Sequence, residues 1–480
     1  MIGHPVTPVE AEELQHSREE AARTAMHADR TTLVSFTTAV DTIDPLAVFQ
    51  RTAGEERALW VQPAAGFSMV AIGAAARLAG RGPGRFAQVE AARLRLLSTA
   101  FVEQMGGCPV PAPVLLGGFA FDPAAERGPE WEGFPDALLV VPRLLFARQG
   151  ESCWVTVNSL ADPDGDALSR LRDLANETRG VYPEDGRPAH REGSMGAALS
   201  EGAADGPWKD AVAEVVDHIR RGAVDKLVLA RRVQVRLRGP VDAAEALRRL
   251  AEGYPHCTTF AFARGDACFL GATPERLVRV DRPDSDGRAA PSRVRADCLA
   301  GSARRGATEE EDRSLGEALL TDPKERHEHA VVVQALRDDL QPLCSQLDIK
   351  EAPGLLRMPN VQHLYTPIQG ALSAERGVLE LVERLHPTPA AGGLPREAAL
   401  QFIRQWEPFD RGWYAGPVGW VDGRGEGEFA VAIRSALIRG QEAFLYAGCG
   451  IVTGSDPERE YAESCLKLRP MLWALNGSAT

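Results

Sequence analysis

Two segments carry paired glutamates at helical spacing. One reads Asp322-Pro323-Lys324-Glu325-Arg326-His327-Glu328-His329. The other reads Ser455-Asp456-Pro457-Glu458-Arg459-Glu460-Tyr461-Ala462-Glu463, with Lys467 one turn further on. A three-residue step stacks side chains on one helix face. Glu325 with Glu328 and Glu460 with Glu463 thus form an oxygen-rich set suited to a hard cation, which in turn can hold an anionic substrate. The same spacing has plainer readings. Asp322 and Ser455 stand at N-cap positions ahead of a first-turn proline, and Asp322/Glu325 and Ser455/Glu458 fit a capping box. Capping leaves Glu328, Glu460 and Glu463 unexplained; their alternative is a solvated face.

Other residues suit chemistry around such a cation. Tyr446-Ala447-Gly448-Cys449-Gly450-Ile451-Val452-Thr453-Gly454 reads as strand, glycine loop and helix start. Backbone N–H groups of such a loop cradle an anion. The spacing is not G-x-G-x-x-G and the next helix bears acids, so a small carboxylate fits better than a nucleotide. Arg434 lies in Phe429 to Ala436, read as one strand. Alternation puts it on a face with Ala430, Ala432 and Ala436, with room for a two-pronged grip on a carboxylate or for an internal salt bridge. Lys226 opens the strand Lys226 to Ala230 as a candidate general base or a solvated edge lysine. Glu275, in Gly271-Ala272-Thr273-Pro274-Glu275-Arg276, is a candidate general acid or the surface partner of Arg276.

The elements that must position these residues are mixed. Short strands (Leu138 to Val141, Cys153 to Val157) and helical patterns (Val89 to Met105, Asp166 to Thr178) share residues 31–180. Tyr182 to Pro207 reads as a linker or surface loop, rich in Gly, Pro and charge. Trp208, Val212, Val215, Val216 and Ile219 have helical spacing, with Gly222 as a stop. Thr259 to Phe262 and Ala267 to Gly271 form a strand pair turning at Arg264-Gly265-Asp266. Phe429 to Ile438 and Ala443 to Ala447 form another, turning at Arg439-Gly440-Gln441. Strand pairs separated by helices imply an α+β globule rather than a doubly wound parallel sheet.

The chain has 480 residues, 44% hydrophobic and 25% charged, with a net charge of -13. That charge argues against nucleic acid as a partner. Eight cysteines without a CxxC pair argue against a zinc ribbon or a disulfide scaffold and fit reduced thiols in the cytoplasm. No signal peptide and no membrane-spanning run is evident.

Seven stretches, in order across about residues 208–475, resemble the chorismate-utilising enzymes, and among them the isochorismate synthases. They are Asp225 to Arg231, Gly271 to Glu275, Leu299-Ala300-Gly301-Ser302-Ala303-Arg304, Asp322 to His329, His386-Pro387-Thr388-Pro389-Ala390, Ala432 to Ala436, and Gly448 to Lys467. The resemblance implies large mixed or antiparallel sheets packed together with helices outside. It divides the chain into a polar tail (1–30), a variable N-terminal part (31–200) and a chorismate-binding catalytic part (201–475). It also implies a role for each matched residue. Lys226 would activate water, and Glu275 would protonate the departing hydroxyl. Glu328 and Glu463 would contact Mg2+, with Glu325 and Glu460 close by. The metal and Lys467 would hold the ring carboxylate. Gly301, Ser302 and His363 would line the ring. Arg434, Tyr414 and the Gly448–Gly450 backbone would hold the enolpyruvyl carboxylate.

The implied reaction is a reversible, Mg2+-dependent isomerisation of chorismate to isochorismate. Water attacks C2 and the C4 hydroxyl leaves. Lys226 favours the water-using branch over the ammonia-using synthases, so no glutaminase subunit is expected; a monomer is expected. Ala300 lacks the nucleophilic lysine found there in aminodeoxychorismate synthases. Salicylate synthase, which goes on to eliminate pyruvate, is the alternative; the His386 to Ala390 segment looks more like dedicated isochorismate synthases.

Overall fold

A computed structural model describes residues 31–104, 107–161, 197–198, 205–237, 239, 241–282 and 291–476. The expected tail (1–30), the helix Asp166 to Thr178 and most of the 182–207 loop lie outside the described residues.

The described chain opens with β1 (Thr32–Val40), α1 (Pro45–Arg51), β2 (Arg57–Gln62), β3 (Phe67–Ile72) and β4 (Ala76–Gly80). Next come α2 (Arg85–Leu97), β5 (Phe101–Gln104), β6 (Leu115–Phe119), β7 (Ala137–Val141), β8 (Leu144–Gln149) and β9 (Ser152–Ala161). After β10 (Ala197–Ala198) follow α3 (Asp205–Arg220), β11 (Lys226–Leu237), α4 (Ala243–Gly253), β12 (Thr258–Arg264), β13 (Ala267–Thr273), β14 (Arg276–Asp281) and β15 (Arg293–Arg304). Then come α5 (Glu309–Thr321), α6 (Pro323–Leu340), β16 (Cys344–Ile349), β17 (Gly354–Arg357), β18 (Val361–Leu372), α7 (Val378–Leu385), β19 (Gly393–Leu394) and α8 (Arg396–Trp406). The chain closes with β20 (Pro417–Val421), β21 (Gly427–Val431), β22 (Ser435–Arg439), β23 (Glu442–Ile451) and α9 (Pro457–Asn476).

Two sheets form. The larger runs β10-β11-β23-β22-β13-β12-β2-β3-β8-β9-β1-β5, with β19 on β11; the smaller runs β16-β18-β15-β14-β21-β20-β6-β7-β4, with β17 on β18. Strands before residue 162 and after residue 204 contribute to both. The pair β1–β5 is parallel, and the pairings that build the site are antiparallel. In β2, Ala58 and Trp60 enter a core shared with the smaller sheet, while Leu59 enters a core beneath helices. In β12, Phe260 and Phe262 take the first side, Ala261 and Ala263 the second. This is the two-residue period of a strand buried on both faces. Helices α1, α4 and α9 cover the outer face of the large sheet, and α2, α6 and α7 pack on the small one. The α+β arrangement of packed sheets with helices outside is therefore as expected. No described helix is long and apolar enough to cross a membrane.

Two local expectations are corrected. The helical pattern Val89 to Met105 ends at Leu97, and Phe101–Gln104 is an edge strand beside β1. The run Phe429 to Ile438 is not one strand. Its first part closes β21 in the small sheet and its second part is β22 in the large sheet. Between them the chain crosses the seam at Ala432-Ile433-Arg434, and Arg434 takes φ +52°. A left-handed arginine costs on the order of 1–3 kcal/mol, which the surrounding bonds offset. Ala272 N donates to Arg434 O (3.1 Å), and Val431 N donates to Glu275 O (3.0 Å). A second crossing, Pro274-Glu275, joins β13 to β14 close by. Thr273 ties the two together: its Oγ1 donates to Val431 O (2.6 Å) and accepts from Glu275 N (3.2 Å).

Candidate active site

The seam opens into a cavity of about 680 Å3. Glu275 and Arg434 reach it from the two crossings. Gly301, Ser302 and His363 line it from the small sheet, and Gly448 and Gly450 from the large one. Tyr414, Glu328, Glu463 and Lys467 complete it. Lys226 is not among the lining residues; it is fully buried behind Glu328 and Gly450. Glu325 and Glu460 face a second cavity of about 930 Å3, which shares Ser302 and Glu463 with the first.

Helix α6 begins as its sequence dictates. The Asp322 carboxylate accepts from Lys324 N (2.9 Å) and Glu325 N (3.0 Å), ahead of Pro323. Glu325 does not complete a capping box. Its Oε2 accepts from Ser302 N (3.0 Å), where β15 bulges at Gly301 (φ +84°). His329 pins α6 to the sheet: Nδ1 bonds Ala300 O (3.0 Å) and Nε2 bonds Thr366 Oγ1 (2.8 Å). Because Ala300 O only accepts, the proton belongs on Nδ1. At α9 the expected cap is corrected. Asp456, not Ser455, accepts from Arg459 N (3.0 Å), while Ser455 Oγ accepts from Val452 N (3.2 Å). An aspartate at N-cap holds the first turn as well as a serine does.

The glycine loop is also corrected. Gly448 and Gly450 lie in β23, opposite Ala230 and Val228 of β11. The N–H groups of Val228 and Ala230 bond Gly392 O and Glu407 Oε1, away from β23. The facing pairs are therefore the non-hydrogen-bonded kind, and Gly448 and Gly450 turn their own backbone groups away from β11. On that side β22 pairing with β23 has already ended at Leu445. Backbone donors thus still face the cavity, from a strand edge rather than a loop. Packing is close at both glycines, and closest at Gly450. A Cβ at Gly450 would lie 2.1 Å from Glu328 Oε1, and one at Gly448 3.2 Å from the Tyr414 hydroxyl.

Charge in the site is dense and mostly buried. Lys226 Nζ lies 2.9 Å from Glu328 Oε1 as an ion pair, off the angle of a hydrogen bond. Lys467 Nζ bonds Glu463 Oε1 (2.6 Å) and Gly448 O (2.9 Å). Lys324 Nζ bonds Glu325 Oε1 (2.9 Å) and Glu460 Oε1 (3.0 Å). Burial and the neighbouring acids raise Glu325 and Glu460, whereas Lys467 overrides burial and holds Glu463 low. Burial, aided by Asp297, outweighs Lys226, Lys467 and Arg434 and pushes Glu275 up to about 8. Its anticipated partner Arg276 instead bonds Glu428 (2.9 Å) and Asp297 (3.3 Å). Burial, with Arg434 and Lys467 nearby, lowers His363 to about 3, so it is neutral. His363 Nε2 then accepts from Arg434 Nη2 (3.0 Å), and Nδ1 faces Ser302 Oγ (2.9 Å). Arg434 Nη1 is buried with no protein partner. A guanidinium held on one side and free on the other is set to bind an anion.

Sequence reasoning left two contributors unassigned. Thr273 stitches the crossings, and a threonine at a strand end carries no distinguishing signal. Lys324 bridges the acidic helices. Its signal was a cation in the first turn of a helix, where the macrodipole disfavours it.

Residues 19–476 match the family model "Chorismate binding enzyme". The chain is 42% identical over 471 residues to the salicylate biosynthesis isochorismate synthase of Pseudomonas aeruginosa, covering 96% of this chain and 94% of that one. It is 36% identical over 466 residues to the isochorismate synthase MenF of Bacillus subtilis, covering 95% and 96%. The solved structure of the menaquinone-specific isochorismate synthase MenF from Escherichia coli superposes with a TM-score of 0.75, at 26% identity over 96% of this chain and 99% of that one. The chain belongs to the chorismate-binding enzyme family.

Proposed function

We propose that this enzyme is an isochorismate synthase, an isomerase that adds water at C2 of chorismate and expels the C4 hydroxyl. The observation that carries the reading is the placement of Glu275, a carboxyl raised by burial to about 8, in one cavity with the unpartnered Nη1 of Arg434. Hydroxide is a poor leaving group, and a carboxylic acid at neutral pH supplies the proton it needs. Lys226, ion-paired with Glu328 at 2.9 Å and behind it in this structure, takes the proton of the attacking water once it is a free amine and Glu328 has turned aside. The atoms balance: one water enters, one leaves, and the ring double bonds shift. Substrate and product are isomers, so the step runs both ways. Arg434 Nη1, Tyr414 and the outward backbone of Gly448 and Gly450 hold the enolpyruvyl carboxylate. Lys467 faces the ring carboxylate, and Gly301, Ser302 and His363 border the ring.

The donor set fits a hard divalent cation: four carboxylates on two helices, two of them raised by burial and by the neighbouring acids. Glu328 and Glu463 would hold Mg2+, with Glu325 and Glu460 behind them. Bound there, the ion would neutralise and orient the ring carboxylate.

The test is incubation of the purified protein with chorismate and Mg2+, with chromatography of the products. Isochorismate without pyruvate is expected. Stoichiometric salicylate and pyruvate would assign the chain to salicylate synthases, and unchanged chorismate would refute both.

A further inference from the structure

Lys324 differs from the other two lysines of the site in touching both acidic helices. Its ammonium joins Glu325 on α6 to Glu460 on α9 at 2.9 and 3.0 Å. Nothing local favours it there. The helix N-terminus repels a cation, and burial opposes its charge; Glu460 and Glu325, then Glu328 and Glu463, override both. Four carboxylates this close repel one another, and a cation between the helices relieves that repulsion. Lys324 lines the outer cavity, which opens toward solvent and where Asp456 also lies. The side chain therefore has room to leave without moving α6 or α9.

We infer that Lys324 is a tethered place-holder for the divalent cation: its ammonium occupies the outer part of the cation site, between Glu325 and Glu460, and withdraws into the outer cavity when the cation binds. This rests on the cation reading of the glutamates above. A site open only when a side chain is away binds with an affinity reduced by the open fraction. Lys324 would thus keep the acidic helices together without metal and set how tightly they take it.

The experiment compares wild type and Lys324→Gln without substrate. Mg2+ binding is followed by calorimetry, and thermal unfolding is measured with and without Mg2+. The variant should bind Mg2+ roughly tenfold tighter or more, melt lower without the ion, and gain more from it. Equal or weaker binding by the variant overturns the inference while leaving the cation site intact; no binding by wild type overturns both. Removing a nearby positive charge would by itself tighten binding somewhat, so a second measurement on wild type decides. Mg2+ should raise the reactivity of Lys324 toward a lysine-acylating reagent, read by mass spectrometry. Unchanged or lowered reactivity overturns the inference even if the variant fails to fold.

Discussion

Glu275 costs the folded protein stability in the form that makes it useful. Its carboxyl ionises near 4.5 in an unfolded chain and near 8 in the fold, chiefly because of burial. Between those values folding takes up a proton, so stability falls as pH rises, and the loss is complete above about pH 8. At pH 7 the difference amounts to roughly 3 kcal/mol. Glutamine matches the protonated carboxyl in shape and cannot ionise. Glu275→Gln should therefore melt higher than wild type at pH 7, with the gap closing below pH 4.5. Its turnover should fall by about 100-fold or more. Wild-type turnover should decline as pH rises through about 8. A variant that is less stable at pH 7 would show that burial of Glu275 is not costly, and one that keeps normal turnover would show that Glu275 is not the acid. The anticipated pairing of Glu275 with Arg276 was a fair reading of adjacent opposite charges. It failed because the chain changes sheets between them: Glu275 stands in the crossing and lines the cavity, whereas Arg276 opens β14 and bonds Glu428 and Asp297.

At the scale of elements, β11, β23 and α6 meet so closely at Gly450 that its missing side chain is where Glu328 sits. Gly450→Ala would place a Cβ 2.1 Å from Glu328 Oε1 and 3.0 Å from Lys226 Cε. The obstructing atom is the end of a flexible side chain, so the fold can absorb the change while the ion pair cannot. The variant should melt within a few degrees of wild type and lose on the order of 100-fold in turnover, the effect of displacing a reacting group by about 1 Å. Wild-type turnover in a folded Gly450→Ala protein would mean that Lys226 and Glu328 need not sit where they do. Elements of this kind were legible in part. Asp322 and Pro323 announced α6, and Arg264-Gly265-Asp266 announced the β12–β13 turn. The cut at Arg434 was not legible, because Phe429 to Ile438 is apolar on both sides of it with neither glycine nor proline to mark the break. The glycines of β23 read as a loop because glycine is rare within strands. The approach of Glu328 leaves no room for a side chain at Gly450, and Val228 and Tyr414 crowd Gly448.

Across the whole molecule, the site lies where the chain changes sheets. Acid and guanidinium come from two crossings that run in opposite directions, β13 to β14 and β21 to β22. Spacing along the sequence cannot show that residues 275 and 434 are neighbours; the pairing of the two sheets decides it. Thr273 is the bond between the crossings, fully buried, with its hydroxyl on Val431 O and Glu275 N. Thr273→Val keeps the shape and removes both bonds; Val431 O keeps its bond from Ile433 N (2.8 Å), but the buried Glu275 amide is left unpaired at a cost of about 1–3 kcal/mol. Both sheets share one core, so the variant should still unfold in a single transition, a few degrees lower. Because the two crossings would shift against each other, one substitution outside the cavity should disturb both functions. The pH at which turnover declines should move, through Glu275, and KM should rise, through Arg434. A lower melting temperature with an unmoved pH profile and unchanged KM would mean that each crossing holds its own residue in place. The seam would then be only where the site lies, and not what sets its geometry.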